Sequence, residues 1–318
     1  MKKIKNYIKP TSFVQKVVLS GQISIGETQV FRYTVRKVED KRQPEVKVIL
    51  STDEEELEGK TFNYFTMAVH NSVLTLWANK RTEFSVLDVA RVMVGDSARR
   101  FEKDSKLLKK VDEEIQKMAA VNIYMNLADE RVVQNREYFD ENGTFDEIDA
   151  PILPVRNTTV QMSNGYQCKG YRMTATPPFY LYSENTNQMD SINLQHNQMK
   201  LYRKAERFAI REYLYERILL MKVKSGMGSN FNRIDFDNIC EVVRNMSGAE
   251  LKKHGKADIQ VQTSGILEGF LGAGLLLDWH MEGDPDEKYD FCYVLELNLE
   301  GVACKNTRIN LGKGEKNE

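Results

Sequence analysis

Between positions 99 and 117 the sequence carries Arg99, Arg100, Lys103, Lys106, Lys109, Lys110 and Lys117. Cations at these spacings fall on the outer side of a helix and the turn before it. Their chemistry is phosphate neutralisation, which releases the counterions condensed around a polyanion. A second concentration holds Arg203, Lys204, Arg207 and Arg211, with Lys252, Lys253 and Lys256 further on. From 201 to 256 there are 12 basic against 7 acidic residues, a local excess in a chain whose net charge is −1. Beyond it stand Gln260, Gln262 and Thr263. Glutamine can pair bidentately with adenine, and lysine with guanine, in a major groove. The plainer reading of each cluster is a solvated helix face screened by its own acids. Those are Glu102, Asp104, Asp112, Glu113 and Glu114 in the first, and Glu206, Glu212 and Glu216 in the second.

Other chemistries lack their residues. His70, His196, His254 and His280 are scattered, so no histidine pair flanks one apolar residue to hold a metal beside a strand-nicking tyrosine. Cys168, Cys240, Cys292 and Cys304 form no closely spaced pair of the kind zinc sites use. The Gly226–Gly228 stretch lacks the lysine and following helix of a phosphate loop, and Gly269–Gly274 falls late in a helix. No Ser–His–Asp set or carboxylate pair stands at a usable spacing. The acids Glu282, Asp284, Asp286 and Glu287 lack the alternation of a calcium loop and would be repelled by phosphate, so that turn either faces away from DNA or meets a protein. The inventory predicts a protein that is not an enzyme and needs no cofactor or metal.

The elements that must position these residues are written twice. Residues 65–78 form an apolar-periodic run, Glu83-Phe84 is extended, and Ser85 caps a helix with Val86, Val89, Ala90, Val92 and Met93 on one face. About 150 residues on, a run over 208–221 leads to Arg233-Ile234, and Asp235 caps a helix with Phe236, Ile239, Cys240, Val242 and Val243 at the same offsets. Each block continues with a third helix, about 104–119 and 257–272, and then an alternating strand, about 121–127 and 275–281. Helix, short strand, helix, helix, strand is the order of a winged helix-turn-helix, which lays its third helix in a DNA groove.

The predicted class is therefore α+β, with two tandem winged helix-turn-helix domains and an N-terminal β extension. Residues 1–60 read as the extension, with strands at 13–19, 30–38 and 46–50. Residues 61–182 form domain 1, its wing elongated by an acidic insertion over 129–149 and by extended segments around Asn164-Gly165. The Asn- and Gln-rich 183–199 is a linker, 200–304 is domain 2, and 305–318 is a flexible tail. No stretch has the ~20 apolar residues of a membrane span, and the basic N-terminus has no apolar run behind it. A cytoplasmic protein with no membrane contact is expected.

The chain resembles the replication initiators of plasmids and conjugative elements built from tandem winged helices, in the form found in low-GC Gram-positive bacteria. The residues that carry the resemblance are Phe65-Thr66-Met67-Ala68-Val69, Phe84-Ser85, Val94-Gly95-Asp96 and Glu114-Ile115-Gln116-Lys117-Met118. Further along they are Pro178-Phe179-Tyr180-Leu181-Tyr182-Ser183 and Glu212-Tyr213-Leu214-Tyr215-Glu216-Arg217-Ile218. The resemblance implies sequence-specific binding to double-stranded DNA at origin repeats and recruitment of host helicase or host initiator. It also implies a monomer on direct repeats and a homodimer on the protein's own promoter. The near-neutral charge departs from the strongly basic members of that group. The rival readings are a winged-helix transcriptional regulator of a mobile element, a DNA hydrolase or nickase, and a pure protein-interaction module.

Overall fold

Ser12 accepts a hydrogen bond from Gln15 N and starts a helix, α1 (Phe13–Leu19), where the alternating pattern predicts a strand. The reason is local. Val14, Val17 and Val18 share a helical face, and a capping serine precedes them. This computed structural model describes residues 4, 6–32, 45–94, 105–127, 147–161, 167–185, 188–193, 204–223, 232–247, 253–284 and 289–298. The acidic insertion up to residue 146, residues 162–166 and 285–288, residues 186–187 and 194–199 of the linker, and the tail lie outside the described residues.

Strand β1 (Asn6–Pro10) precedes α1, and β2 (Thr28–Arg32) and β3 (Glu45–Thr52) come after it. Helix α2 (Tyr64–Ala78) opens with a reciprocal cap in which Asn63 accepts from Phe65 N and Thr66 N while Thr66 Oγ1 accepts from Asn63 N. Then come β4 (Glu83–Ser85), α3 (Val86–Val94) and α4 (Ser105–Ala120). Ser85 and Asp88 cap α3 reciprocally, Ser85 N donating to Asp88 Oδ2 at 2.9 Å and Asp88 N to Ser85 Oγ at 3.2 Å. Strands β5 (Val121–Asn126), β6 (Glu147–Pro151), β7 (Val155–Gln161) and β8 (Gln167–Met173) complete this half, with α5 (Pro178–Asn185) and β9 (Met189–Asn193) behind them. The second half runs α6 (Ala205–Val223), β10 (Arg233–Asp235), α7 (Phe236–Ser247), α8 (Lys253–Gly272), β11 (Leu276–Asp284) and β12 (Asp290–Leu297). The class is mixed α and β with several small antiparallel sheets.

The repetition extends to strand order. In the first half a short strand ahead of the second helix pairs with the last strand, giving β4-β8-β7; in the second half the same rule gives β10-β12-β11. The strand directly after the third helix plays different parts in the two halves. Residues 275–281 enter the three-stranded sheet as β11, as expected, whereas β5 pairs with β3 and β6 in a separate sheet ordered β2-β3-β5-β6. The partner of β8 is instead β7, some thirty residues later.

The segment before position 60 is not a separate extension but is woven into both halves. Strand β3 pairs with β5, and β1 pairs with β9, which belongs to the expected linker. Helices α2 and α6, the first of each half, pack together with Phe65 against Phe208 and Tyr64 edge-on to Tyr213. Residues Tyr64 to Leu76 are accordingly buried around the whole circumference of α2. Two of its hydroxyls are satisfied inside: Ser72 Oγ donates to Ala68 O, and Thr75 Oγ1 donates to Asn71 O while accepting from Ile8 N.

Candidate nucleic-acid interface

Helix α4 buries Leu107, Val111, Ile115 and Met118 and leaves Lys106, Lys109 and Lys110 exposed. This is the 3.6-residue period at work. Lys109 has Glu113 one turn on at 3.6 Å. Lys106 and Lys110 make no hydrogen bond or ion pair with a described residue. Together with Lys204, which is bound to Asp258 at 2.9 Å, they line a cleft of ≈ 580 Å³ between α4 and the second half, floored by Leu107, Val243 and Ile259. Three predicted cations from distant positions thus meet at one place.

Lys117 turns elsewhere. Its ammonium donates to Thr61 O at 2.7 Å and sits 4.8 Å from the centre of the Phe62 ring. Burial pulls its pKa down, with Glu114 opposing and Lys60 adding to the shift. It ties α4 to the segment before α2 instead of facing outward with the other lysines.

The second half corrects several sequence expectations. Arg207 is 7% exposed, and its guanidinium lies against α8 where Gly265 has no side chain. Arg211, expected on an outer face, is 1% exposed; its Nη1 donates to Met93 O at 2.5 Å, and its guanidinium stacks near Phe208 and Tyr215. Of the three candidate base readers, Thr263 is fully buried and donates to Ile259 O, and Gln262 is 4% exposed with its amide on Asp258. Both lie on the inward stripe with Ile259 and Ile266. Gln260 is partly exposed, with its amide against Met281 Sδ at 3.8 Å. Lys256 pairs with Asp237 at 3.4 Å and lies over Tyr289. Arg99, Arg100, Lys103, Arg203 and Lys252 lie outside the described residues, and only the helical backbone of Lys253 is described.

Residues absent from the sequence reading complete the basic surface of the first half. The β7–β8 hairpin carries Arg156, Lys169 and Arg172 and no acid in its two strands. Arg156 stands directly opposite Arg172, a like-charged cross-strand pair, and Arg172 is neutralised by Glu83 on β4. Asp112 on α4 fixes the hairpin to the helix. It accepts from Tyr171 OH and from Gln116 Nε2 at 2.9 Å, with Lys169 at 3.5 Å. Burial, and then the Asp112 bond, push the Tyr171 hydroxyl up to about 12, so it stays a donor. The signal that was available is the cation-only composition of two strands flanking Asn164-Gly165.

Among the described residues no group of three or more histidine, cysteine or carboxylate side chains is arranged to hold a metal ion, and no helix is long and apolar enough to cross a membrane. Comparison with family models, curated proteins and solved structures finds no match to this chain.

Proposed function

We propose that the chain is a sequence-specific double-stranded DNA-binding protein, without enzymatic activity, that initiates replication of a plasmid or other mobile element and recruits host replication machinery. The observation that carries the reading is the repeated unit. Helix, short strand and two helices recur in both halves, and each time the short strand pairs with the second strand of a hairpin, which in the first half follows only after β5 and β6. A winged helix-turn-helix uses the same order of helix, short strand and two helices, and two such units in tandem would suit a protein that reads repeated or paired sites.

In this reading the first unit carries the main contact. Lys106, Lys109 and Lys110 on α4 supply phosphate neutralisation and guanine pairing, and the cationic hairpin with Arg156 and Lys169 tracks the adjacent backbone. Lys204 extends the surface across the cleft. The chain's near-neutral charge is compatible with this because a specific DNA-binding protein needs only a local concentration of cations, here on α4 and the β7–β8 hairpin.

Two measurements test the reading. Sites selected from random duplexes are bound by the wild type, and Lys106→Glu/Lys110→Glu abolishes that binding while the fold persists. The coding sequence with its flanking DNA then maintains a plasmid that lacks its own origin. Undiminished binding by the charge-reversal variant sinks the α4 assignment. Specific binding without plasmid maintenance favours the transcriptional regulator.

A further inference from the structure

Three helix N-termini converge on the cleft between α4 and the second half. Its walls take Lys106 and Leu107 from the first turn of α4, Ala205 and Glu206 from that of α6, and Gly255 from that of α8. These helices are 16, 19 and 20 residues long, and a helix start presents backbone amides and the positive end of the dipole. The first turns of α4 and α8 hold no acid to offset it. Lys106 and Lys110 add two ammoniums, of which Lys110 lies in the field of Glu114, a carboxylate already bonded to Thr66. With Lys204 paired to Asp258, two ammoniums remain against the one carboxylate of Glu206, so the surplus is positive. A second observation is independent of charge. Gln262 lines the same cleft at 4% exposure, and its Nε2 donates to Asp258 at 2.9 Å. Its Oε1 is withdrawn from water and has no hydrogen-bond partner among the described residues. Leaving a buried acceptor unpaired is unfavourable, and a ligand N–H would relieve it. Leu107, Val243 and Ile259 supply an apolar floor. At ≈ 580 Å³ the cleft is far larger than an inorganic phosphate needs and suits a small organic molecule.

We propose that this cleft binds a free nucleotide. Lys106 and Lys110 hold its phosphate at the helix starts, where cations and main-chain amides both favour an anion. Its base lies on the apolar floor and gives an N–H to Gln262 Oε1. A phosphate alone would use neither the floor nor the unpaired acceptor. Both are met by a flat apolar body edged with N–H donors, which describes a nucleobase. The inference stands apart from the DNA reading, although both use Lys106 and Lys110, so it is tested with no DNA present.

The test titrates the full chain by calorimetry, without divalent metal, with the common ribonucleoside monophosphates and triphosphates. Inorganic phosphate and tripolyphosphate serve as probes that lack a base. At least one nucleotide should bind about tenfold or more tightly than the base-less probe with the same number of phosphates. Lys106→Gln/Lys110→Gln should weaken that nucleotide about tenfold or more. Gln262→Met should weaken it about tenfold and leave tripolyphosphate unchanged. Both lysines are exposed, and thermal melts check the fold of each variant. Should Gln262→Met fail to fold, the ratio of nucleotide to base-less probe in the wild type still decides. The proposal is overturned if no nucleotide binds, if the base-less probes bind as tightly, or if binding ignores the lysine variant. A single-stranded oligonucleotide that binds where every free nucleotide fails would assign the cleft to a strand and likewise overturn it.

Discussion

Glu212 Oε1 holds the Lys9 ammonium at 2.6 Å with both side chains withdrawn from water, which joins β1 to α6 across 203 residues of sequence. The same carboxylate accepts from Asn71 Nδ2 at 2.7 Å and Tyr7 OH at 3.1 Å, so three segments converge on it. Burial alone would raise the Glu212 pKa; Lys9 first, then Arg211 and Asn71, outweigh burial and hold it below the ordinary value. Removing one partner of a buried pair leaves the other charged and unpaired, at about 3–5 kcal/mol. Lys9→Met should therefore lower unfolding free energy in urea by about 3 kcal/mol. Lys9→Met/Glu212→Gln should lose less than the two single losses combined. A loss for Lys9→Met of less than about 1 kcal/mol would place the pair in water, as for a surface bridge.

His70 predicts a pH dependence. It is fully buried on α2, with Nδ1 3.2 Å from Gln15 Nε2 and its ring edge-on to Phe179. Burial pushes its pKa from 6.5 to about 4, with Asn71 and Glu212 opposing. The unfolded chain therefore binds a proton that the folded chain refuses between these values. Its stabilisation is complete above pH 6.5, is lost as pH falls, and is exhausted near 4. The full span is on the order of 3 kcal/mol. Between pH 5 and 6.5 the carboxylate contribution of Glu212 is still intact, and Glu114 and Glu184, whose pKa values burial raises, slope the opposite way in wild type and variant alike, so the difference between the two profiles belongs to the histidine. Urea melts across this window should show stability falling more toward acid in the wild type than in His70→Gln. Equal slopes would remove His70 from the account.

What could be read from sequence was what is decided locally. Ser85 and Asp235 do precede helices, and the stripes Val89, Ala90, Val92, Met93 and Ile239, Cys240, Val242, Val243 are buried as their spacing requires. Three-helix order and cap positions depend on near neighbours. Pairings that depend on distant partners were not legible. Arg207, Arg211, Glu212 and Glu216 look like the solvated side of α6, yet all are buried: the N-terminal segment and α2 cover Glu212 and Glu216, while Arg207 lies against α8 and Arg211 reaches Met93 O at the end of α3. Nothing within a few residues of Arg211 marks Met93 O as its acceptor. Residues 121–126 and 155–161 both alternate, and only long-range pairing decides which joins β8. Within the candidate site, the exposed lysines of α4 were visible in the helical period. The cations Arg156, Lys169 and Arg172 become a site only once the hairpin is seen against α4.

Gly170 should be irreplaceable for a reason specific to this sheet. A Cβ there would lie 2.4 Å from Val160 Cγ2 and 2.6 Å from Phe84 O. Val160 can be truncated, but the Phe84 carbonyl belongs to the backbone of β4, whose neighbour Ser85 pairs with Gly170. Gly170→Ala should cost about 1–3 kcal/mol through overpacking. Adding Val160→Ala should recover only part of it. Full recovery in thermal melts of the double variant would show that the β4 contact yields freely.

The salt dependence of DNA binding tests how the cations divide the work. Each phosphate neutralised on a duplex contributes about 0.9 to the slope of log K against log salt. Lys106 and Lys110 have no ion pair with a described residue, whereas Lys109 is shared with Glu113, and Lys117 is committed to Thr61 O. Lys106→Gln and Lys110→Gln should each flatten the slope by about one unit, with weaker binding across all sequences if the contact is to phosphate. Lys109→Gln should flatten it less, because Glu113 already screens that ammonium. Lys117→Gln should leave the slope alone and lower stability, since its ammonium joins α4 to the chain before α2. Anisotropy titrations of one selected duplex from low to moderate salt measure all four. A slope change in Lys117→Gln as large as that in Lys106→Gln would mean that Lys117 leaves Thr61 O for the duplex and that the α4 surface rearranges on binding.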